Sequence, residues 1–348
     1  MAVAAGVVGG VEGSADKTAD ARAKVYLGDN LNVLRGMPSA SVDLIYIDPP
    51  FNTGHRQLRS RFRTENDRKI TENSYGYEDS FDDFIGFLEP RMREAHRILK
   101  PDGSLFFHID YREVHYCKVM LDGIFGRESF INEIIWAYDY GARSKRKWSA
   151  KHDNILWYAK DPERYTFNYE DMDRIPYMAP GLVGPEKAAR GKTPTDVWWH
   201  TIVSPNSHEK TGYATQKPRG VVDRIVKIHS RPGDVLMDFF AGSGTLGESA
   251  LELGRRAILV DSNPDAIAVM KRRFAGRGVE WVGCDGIAPS PPRHSKGAED
   301  MQMELFDTEG AEDGHERKDT GIQGAGGYKP GDAEGIRGGE PPMDRLAV

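Results

Sequence analysis

The sequence predicts an α/β domain built on a mostly parallel sheet with helical crossovers, and three observations predict it. Short β-branched or aromatic runs alternate with amphipathic segments along the body of the chain, the pattern of a parallel sheet whose strands are joined by helices. One such run passes through Gly242-Ser243-Gly244 directly into a helical pattern, a strand–turn–helix join. Two polar stretches, 52–78 and 139–214, break the rhythm and are too long for simple connections, so they read as functional insertions.

Taken in order, strands are expected at 24–27, 43–47, 104–109, 132–137, 154–159, 235–239 and 257–260. Each is a short apolar run of the kind that fits a buried strand. Helices are expected at 81–99, 114–124, 219–229 and about 244–253. The first is stopped by Lys100-Pro101-Asp102-Gly103, where proline and glycine end helical geometry. Residues 279–285 look like a further strand ending in an acid, Asp285, or an extra edge strand. No internal repeat is visible.

The chain has 348 residues, 39% of them hydrophobic, so it can bury a sizeable core. Its 2 cysteines, Cys117 and Cys284, exclude a disulfide framework, and neither sits in a metal-binding pattern. No run approaches a membrane span and no basic leader opens the chain; a cytoplasmic location without membrane contact is expected. The net charge of −6 argues at first against a polyanionic partner. It is unevenly spread, however. The ends, 1–21 and 288–348, are rich in Gly and acids and read as disordered, whereas the working body, 22–287, is slightly basic.

Residues 234–245 read Asp-Val-Leu-Met-Asp238-Phe239-Phe240-Ala241-Gly242-Ser-Gly244-Thr245. Glycines at such a turn permit positive φ and let a ligand approach backbone N–H groups at a helix N-terminus. Gly247 completes G-x-G-x-x-G, and Asp261 ends the next strand, two residues before Asn263. A carboxylate there is placed to accept the ribose hydroxyls of an adenosine. NAD and S-adenosylmethionine both fit this segment.

A second motif, Asp48-Pro49-Pro50-Phe51, ends the strand at 43–47. The Asp48 carboxylate and the Pro49 carbonyl can both accept from one amino group, because the prolines carry no competing N–H. Phe51 offers a face on which a planar base can stack. Together they would orient an exocyclic amine for attack on an electrophile.

The two motifs together resemble those of S-adenosylmethionine-dependent amino-group DNA methyltransferases, which modify N6 of adenine or N4 of cytosine. The Asp-Pro-Pro-aromatic motif comes first and the Phe-x-Gly-x-Gly motif about 190 residues later, which is similar to the permuted, beta-type order. Thr215-Gln216-Lys217-Pro218 resembles the segment that contacts the methionine end of the cofactor, and Asp29 matches a position near its adenine. The resemblance implies a Rossmann-like methyltransferase fold: a twisted, mostly parallel seven-stranded sheet with one reversed strand, flanked by helices. It also implies S-adenosyl-L-methionine as cofactor and a flipped target base with Phe51 as its stacking partner. Adenine N6 is favoured over cytosine N4 because Asp48 stands where N4 enzymes of this layout more often carry Ser. Methylation at cytosine C5 would need a Pro-Cys nucleophile, which neither cysteine provides. A nicotinamide oxidoreductase would leave Asp48–Phe51 and Lys217-Pro218 without a task, and a non-catalytic DNA-binding relative would not need Asp48 or the glycines.

Double-stranded DNA is the expected partner. Arg56, Arg59, Arg61 and Arg63 follow the catalytic motif directly, and Arg143, Lys145, Arg146 and Lys147 surround Trp148 in the second insertion. Cations interleaved with aromatics suit phosphate contact plus stacking. Residues 139–214 are expected to hold the target-recognition region, with Trp198 and Trp199 near DNA or packed beneath the insertion. In the acidic tail, Gln302, Leu305 and Phe306 resemble the short peptides that dock on the bacterial replication sliding clamp. A homodimer and a cognate restriction endonuclease are further expected partners.

Overall fold

The computed structural model describes residues 21–54, 57–65, 68–77, 79–141, 143–204 and 206–291. Residues 1–20 and 292–348, with the tail peptide, and Arg56 lie outside these residues; residues 288–291, expected in the disordered tail, are described, and the Ser290 amide donates to the Ala268 carbonyl at 2.8 Å. In chain order the elements are β1 (Ala23–Leu27), α1 (Asn30–Gly36), β2 (Val42–Ile47), β3 (Gln57–Glu65), β4 (Arg68–Tyr77), α2 (Phe84–Ile98), β5 (Leu99–Asp110) and α3 (Val114–Phe125). There follow β6 (Phe130–Ala137), β7 (His152–Ala159), α4 (Pro185–Arg190), β8 (Val197–Trp199) and α5 (Arg219–His229). The chain then closes with β9 (Val235–Asp238), α6 (Thr245–Glu252), β10 (Arg256–Asp261), α7 (Pro264–Arg273) and β11 (Val279–Val282).

Nine strands form one sheet in the order β11-β1-β10-β9-β2-β5-β7-β6-β8. The strands predicted from the sequence make its seven central members, and β8 and β11 add an edge on either side, so the expected count of seven is exceeded. β7 alone runs against its neighbours: it pairs antiparallel with β5 and β6, while the other pairings are parallel. β11 pairs only with β1, so the run at 279–285 is an edge strand. β3 and β4 pair antiparallel as a separate two-stranded sheet where a polar loop was expected. The insertion 139–214 is likewise divided, because β7 belongs to the sheet and β8 extends it.

Strand alternation sends side chains to two apolar layers. Leu44, Phe106, Trp157 and Leu236 join α5, α6 and α7 residues on one face; Ile45, Ile47, Phe107 and Met237 join α2 and α3 residues on the other. Each fully buried Leu, Ile or Phe contributes roughly 1.5–3 kcal/mol from burial. α2 starts at Phe84 rather than at 81 because the Asp83 side chain caps it, accepting from the Gly86 amide. Such crossovers leave the carboxyl ends of β1, β2, β9 and β10 at one edge, where ligands bind in α/β sheets.

Candidate active site

At that edge lies a cavity of 360 Å³. Its floor is the loop between β9 and α6. Gly242 and Gly244 both have positive φ, +50° and +75°, which side chains rarely tolerate. A Cβ on Gly244 would come within 2.8 Å of Met270 and Phe274, and one on Gly247 within 2.5 Å of Leu259. Gly244 and Gly247 therefore seat α6 tightly, while Gly242 lines the cavity itself. The Gly242 amide donates to Asp261 Oδ2 at 2.7 Å and the Asn263 amide to Oδ1 at 2.8 Å. Burial pushes Asp261 up to about 6 against these amide bonds. Asp238 is also buried; burial first, then the charges of Asp48 and Asp261, hold it well above the usual carboxylate range.

The adjoining wall is built by the β1–α1 turn and α2. Asp29 caps α1 through Oδ1 and pairs through Oδ2 with Arg91 at 3.0 Å. Arg91 in turn donates to Asn30 Oδ1 at 2.6 Å, and Asn30 donates to the Phe239 carbonyl at 2.7 Å. The Arg91 guanidinium lies 3.8 Å from the Phe87 ring centroid, and Phe81, Phe87 and Phe240 complete an aromatic side. Asp29 lines the cavity, whereas Asp285, beyond the edge strand β11, does not.

β2 delivers the second motif to the same cavity. Asp48 Oδ2 lies 2.5 Å from Lys217 Nζ. Asp48 Oδ1 is buried and has no hydrogen-bond partner among the described residues, an arrangement that costs free energy unless a donor arrives. Pro50 lines the cavity but Pro49 is buried behind it. Phe51 is half-buried, with Lys217 Nζ 4.7 Å from its centroid and the His108 ring at 6.0 Å. The loop beyond is clamped by Asp79, whose two oxygens accept from the Asn52 amide at 2.8 Å and the Thr53 hydroxyl at 2.6 Å. Asn52, at φ +53°, also accepts from the Phe81 amide at 3.1 Å.

The structure thus brings Asp29, Asp48, Pro50, Thr215, Lys217, Asp238, Phe239, Phe240, Ala241, Gly242, Thr245, Asp261 and Asn263 into one cavity. Pro218 does not line it: that residue is the N-cap of α5, next to Lys217, which does. Gly244 acts as the N-cap of α6 rather than as lining. Sequence reading missed Arg91, Asn30, Tyr46, Tyr213, Phe81 and Phe87. Tyr46 and Tyr213 each stand two residues before a predicted site residue, a spacing that shares a strand face in the case of Tyr46.

Arg59, Arg61 and Arg63 lie on β3. Arg143, Lys145, Arg146 and Lys147 are exposed, and Trp148 is 99% exposed. Their turn is held by Ser144, whose amide donates to Ser149 Oγ at 2.7 Å. Trp198 is buried under Arg224, so it is a packing residue; its neighbour Trp199 is exposed. Cys117 is buried in the core, away from the cavity. Among the described residues, no cluster of His, Cys, Asp and Glu is placed to hold a metal ion, and no helix is long and apolar enough to cross a membrane.

Residues 42–272 match a protein family described as DNA methylase, of the N6/N4 type. The chain is 30% identical over 264 residues to the type II methyltransferase M.HpaI of Haemophilus parainfluenzae, covering 76% of this chain and 77% of that one. It is also 30% identical over 262 residues to the DNA adenine methyltransferase YhdJ of Escherichia coli K12, covering 71% and 81%. In fold it is similar to the PvuII DNA methyltransferase, described as cytosine-N4-specific, with a TM-score of 0.52 at 16% identity over 75% of this chain and 90% of that one.

Proposed function

The chain belongs to the DNA methylase family of the N6-adenine/N4-cytosine type, and from that premise we propose that it methylates N6 of adenine in duplex DNA. Its methyl donor is S-adenosylmethionine. The observation that carries the adenine-amine reading is Asp48: one oxygen tied to Lys217, the other buried, unpartnered and beside the cavity. An amino group is the donor that such an oxygen lacks. The choice of adenine over cytosine rests on Asp, not Ser, at this position.

The residues present fit the donor. The glycine turn leaves room where a Cβ at Gly242 would stand 3.2 Å from Tyr213. Asp261 is assigned the ribose hydroxyls, Asp29 with the aromatic side the adenine, and Thr215 and Lys217 the methionine end. When bound, the donor supplies a methyl group on an electrophilic sulfonium. The protein's own work is then positional. Asp48 accepts from the amine and stabilises the positive charge that develops on it, the Pro49 carbonyl is assigned the second amino hydrogen, and Phe51 stacks on the base after it is flipped from the duplex.

The cations around Trp148 and those at Arg56, Arg59, Arg61 and Arg63 are assigned to the DNA backbone. Docking of Gln302, Leu305 and Phe306 on a replication clamp, self-association, and pairing with a restriction endonuclease remain part of the proposal as sequence-based expectations. The test is transfer from labelled donor to unmethylated duplex DNA. Wild type should label the DNA; Asp48→Ala should lose on the order of 10²–10³-fold in rate while still binding the donor. An unlabelled wild-type reaction, or an active Asp48→Ala protein, would falsify the reading.

A further inference from the structure

Beneath the Asp48 loop runs a row of buried polar side chains that the roles assigned above leave unused. Tyr46 on β2, His108 on β5, Asp153 on β7 and Tyr138 directly after β6 meet at the carboxyl edge of the sheet, Asp153 reaching it because β7 runs backwards. They form one chain. Tyr46 Oη lies 2.8 Å from His108 Nδ1, His108 Nε2 lies 3.1 Å from Asp153 Oδ2, and the Tyr138 hydroxyl donates to Asp153 Oδ1 at 3.0 Å. Tyr46, His108 and Asp153 are 2%, 0% and 6% exposed. Polar groups in such a place are costly unless they are mutually satisfied, and apolar residues would pack there at lower cost.

The direction of each bond can be assigned. Burial would raise Asp153, but its hydrogen bond to His108 and the nearby charges bring it below the usual carboxylate range, so it accepts only. A neutral His108 imidazole then donates from Nε2 and accepts at Nδ1, which makes Tyr46 a donor. Burial, followed by the charges of Asp48, Asp238 and Asp153, holds Tyr46 well above an ordinary tyrosine. Every hydrogen in the chain points toward Asp153. Tyr46 lines the cavity, and a hydroxyl that donates to His108 keeps lone pairs with which to accept.

Methyl transfer to a neutral amine leaves one proton to be lost. Asp48 already holds the Lys217 ammonium on one oxygen, at 2.5 Å, and is assigned the amine on the other. An imidazole is ordinarily a stronger base than a carboxylate by about two pH units.

We propose that Tyr46 and His108 take up the proton released from the methylated amine, an inference that rests on the amino-methyltransferase reading. The amine N–H bond breaks as a new Tyr46 O–H forms. The former Tyr46 O–H breaks as His108 Nδ1–H forms, and His108 becomes an imidazolium paired with Asp153. Nothing is oxidised or reduced, and the proton returns to solvent by the reverse path once product leaves. Tyr46 is the group that meets the amine; His108 and Asp153 are positioning residues that act through it. The charged and titratable groups around the chain are Asp48 beyond β2, Asp238 at the end of β9, Asp110 at the end of β5, Arg112 after it and Lys217 before α5.

The test uses full-length protein, labelled donor and unmethylated duplex DNA under single-turnover conditions, with pH varied. Tyr46→Phe should slow transfer about 10²-fold with unchanged affinity for S-adenosylhomocysteine and DNA. His108→Gln should be slow and should lose the acid limb of the wild-type rate profile. Asp153→Asn, which keeps the shape but not the charge, should move that limb to lower pH and serves if Tyr46→Phe does not fold. A Tyr46→Phe protein of wild-type speed overturns the proposal, as does a slow His108→Gln protein that keeps the wild-type limb, or an unmoved limb in Asp153→Asn. Imidazole nitrogen resonances of the ligand-free wild type supply a readout without turnover. The hydrogen on Nε2 is expected; a hydrogen on Nδ1 overturns the chain even if the protein methylates nothing, whereas an inactive wild type with the expected tautomer overturns the functional reading first.

Discussion

Lowering the pH from 7 to 5 should weaken donor binding about ten-fold, and Asp261 is the reason. Its carboxyl is buried at the cavity and pushed up to about 6 from an ordinary value of 3.8. Hydroxyl groups donate more strongly to an ionised carboxylate than to a protonated one, so a ribose on Asp261 favours the charged form. With a midpoint near 6, roughly nine-tenths of the groups are ionised at pH 7 and one-tenth at pH 5, a difference of about 1.4 kcal/mol in binding. The ligand-free protein should respond in the opposite sense. Because the folded value lies above the unfolded one, the stabilising contribution is fully present below about 3.8 and is lost as pH rises through about 6, about 3 kcal/mol in all. Calorimetric titration of S-adenosylhomocysteine from pH 5 to 8 at fixed ionic strength reads the effect, and Asp261→Asn should remove its slope. Since burial also raises Asp238, that control decides the assignment: a flat wild-type profile, or a slope that survives Asp261→Asn, refutes the reasoning.

Gly244→Ala should destabilise the protein by about 2–5 kcal/mol, adding left-handed backbone strain to overpacking against Met270 and Phe274, and should lower the melting temperature by roughly 5–15 °C. Gly123→Ala is its counterpart: the position is helical and a Cβ meets nothing within 4 Å, so a gain of about 0.5–1 kcal/mol is expected in the same melting experiment. Replacing Arg143, Lys145 and Lys147 by Ala should reduce the slope of log affinity for DNA against log salt by about 2.7 if each meets a phosphate; an unchanged slope would remove that loop from the interface.

The sheet was legible where burial imposed its own pattern. β2 and β9 are apolar runs that end in Asp48 and in the glycine turn, and local chemistry alone marked both as ligand-binding edges. α7 was missed although Asn263 caps it and Pro264 stands at its first position, a start signal overshadowed by the reading of Asp261 as a ribose ligand. α1 was missed because its 7 residues end in glycine and bury only Asn30 and Leu34. The β3–β4 pair was hidden because its sequence is polar, without the alternation that marks a half-buried strand. Arg91 joins Asp29 across 62 positions, and His108 joins Tyr46 across the same separation. Contacts of that kind are made by strand register and helix docking, which no local spacing encodes. The cavity's acids and glycines could be read individually; the partners that set their charge state could not. Net charge misled for a related reason: it summed terminal segments with a slightly basic body.

Amino-group methyl transfer at this site fixes the chemical identity of the product. Duplex DNA treated with the purified protein and a deuteromethyl-labelled donor, then digested to nucleosides and resolved by mass spectrometry, should contain labelled N6-methyldeoxyadenosine, and the Asp48→Ala protein should form it on the order of 10²–10³-fold more slowly. Labelled N4-methyldeoxycytidine in its place would contradict the choice of adenine, and the absence of any labelled nucleoside would contradict the assignment of amino-group methyl transfer to this site.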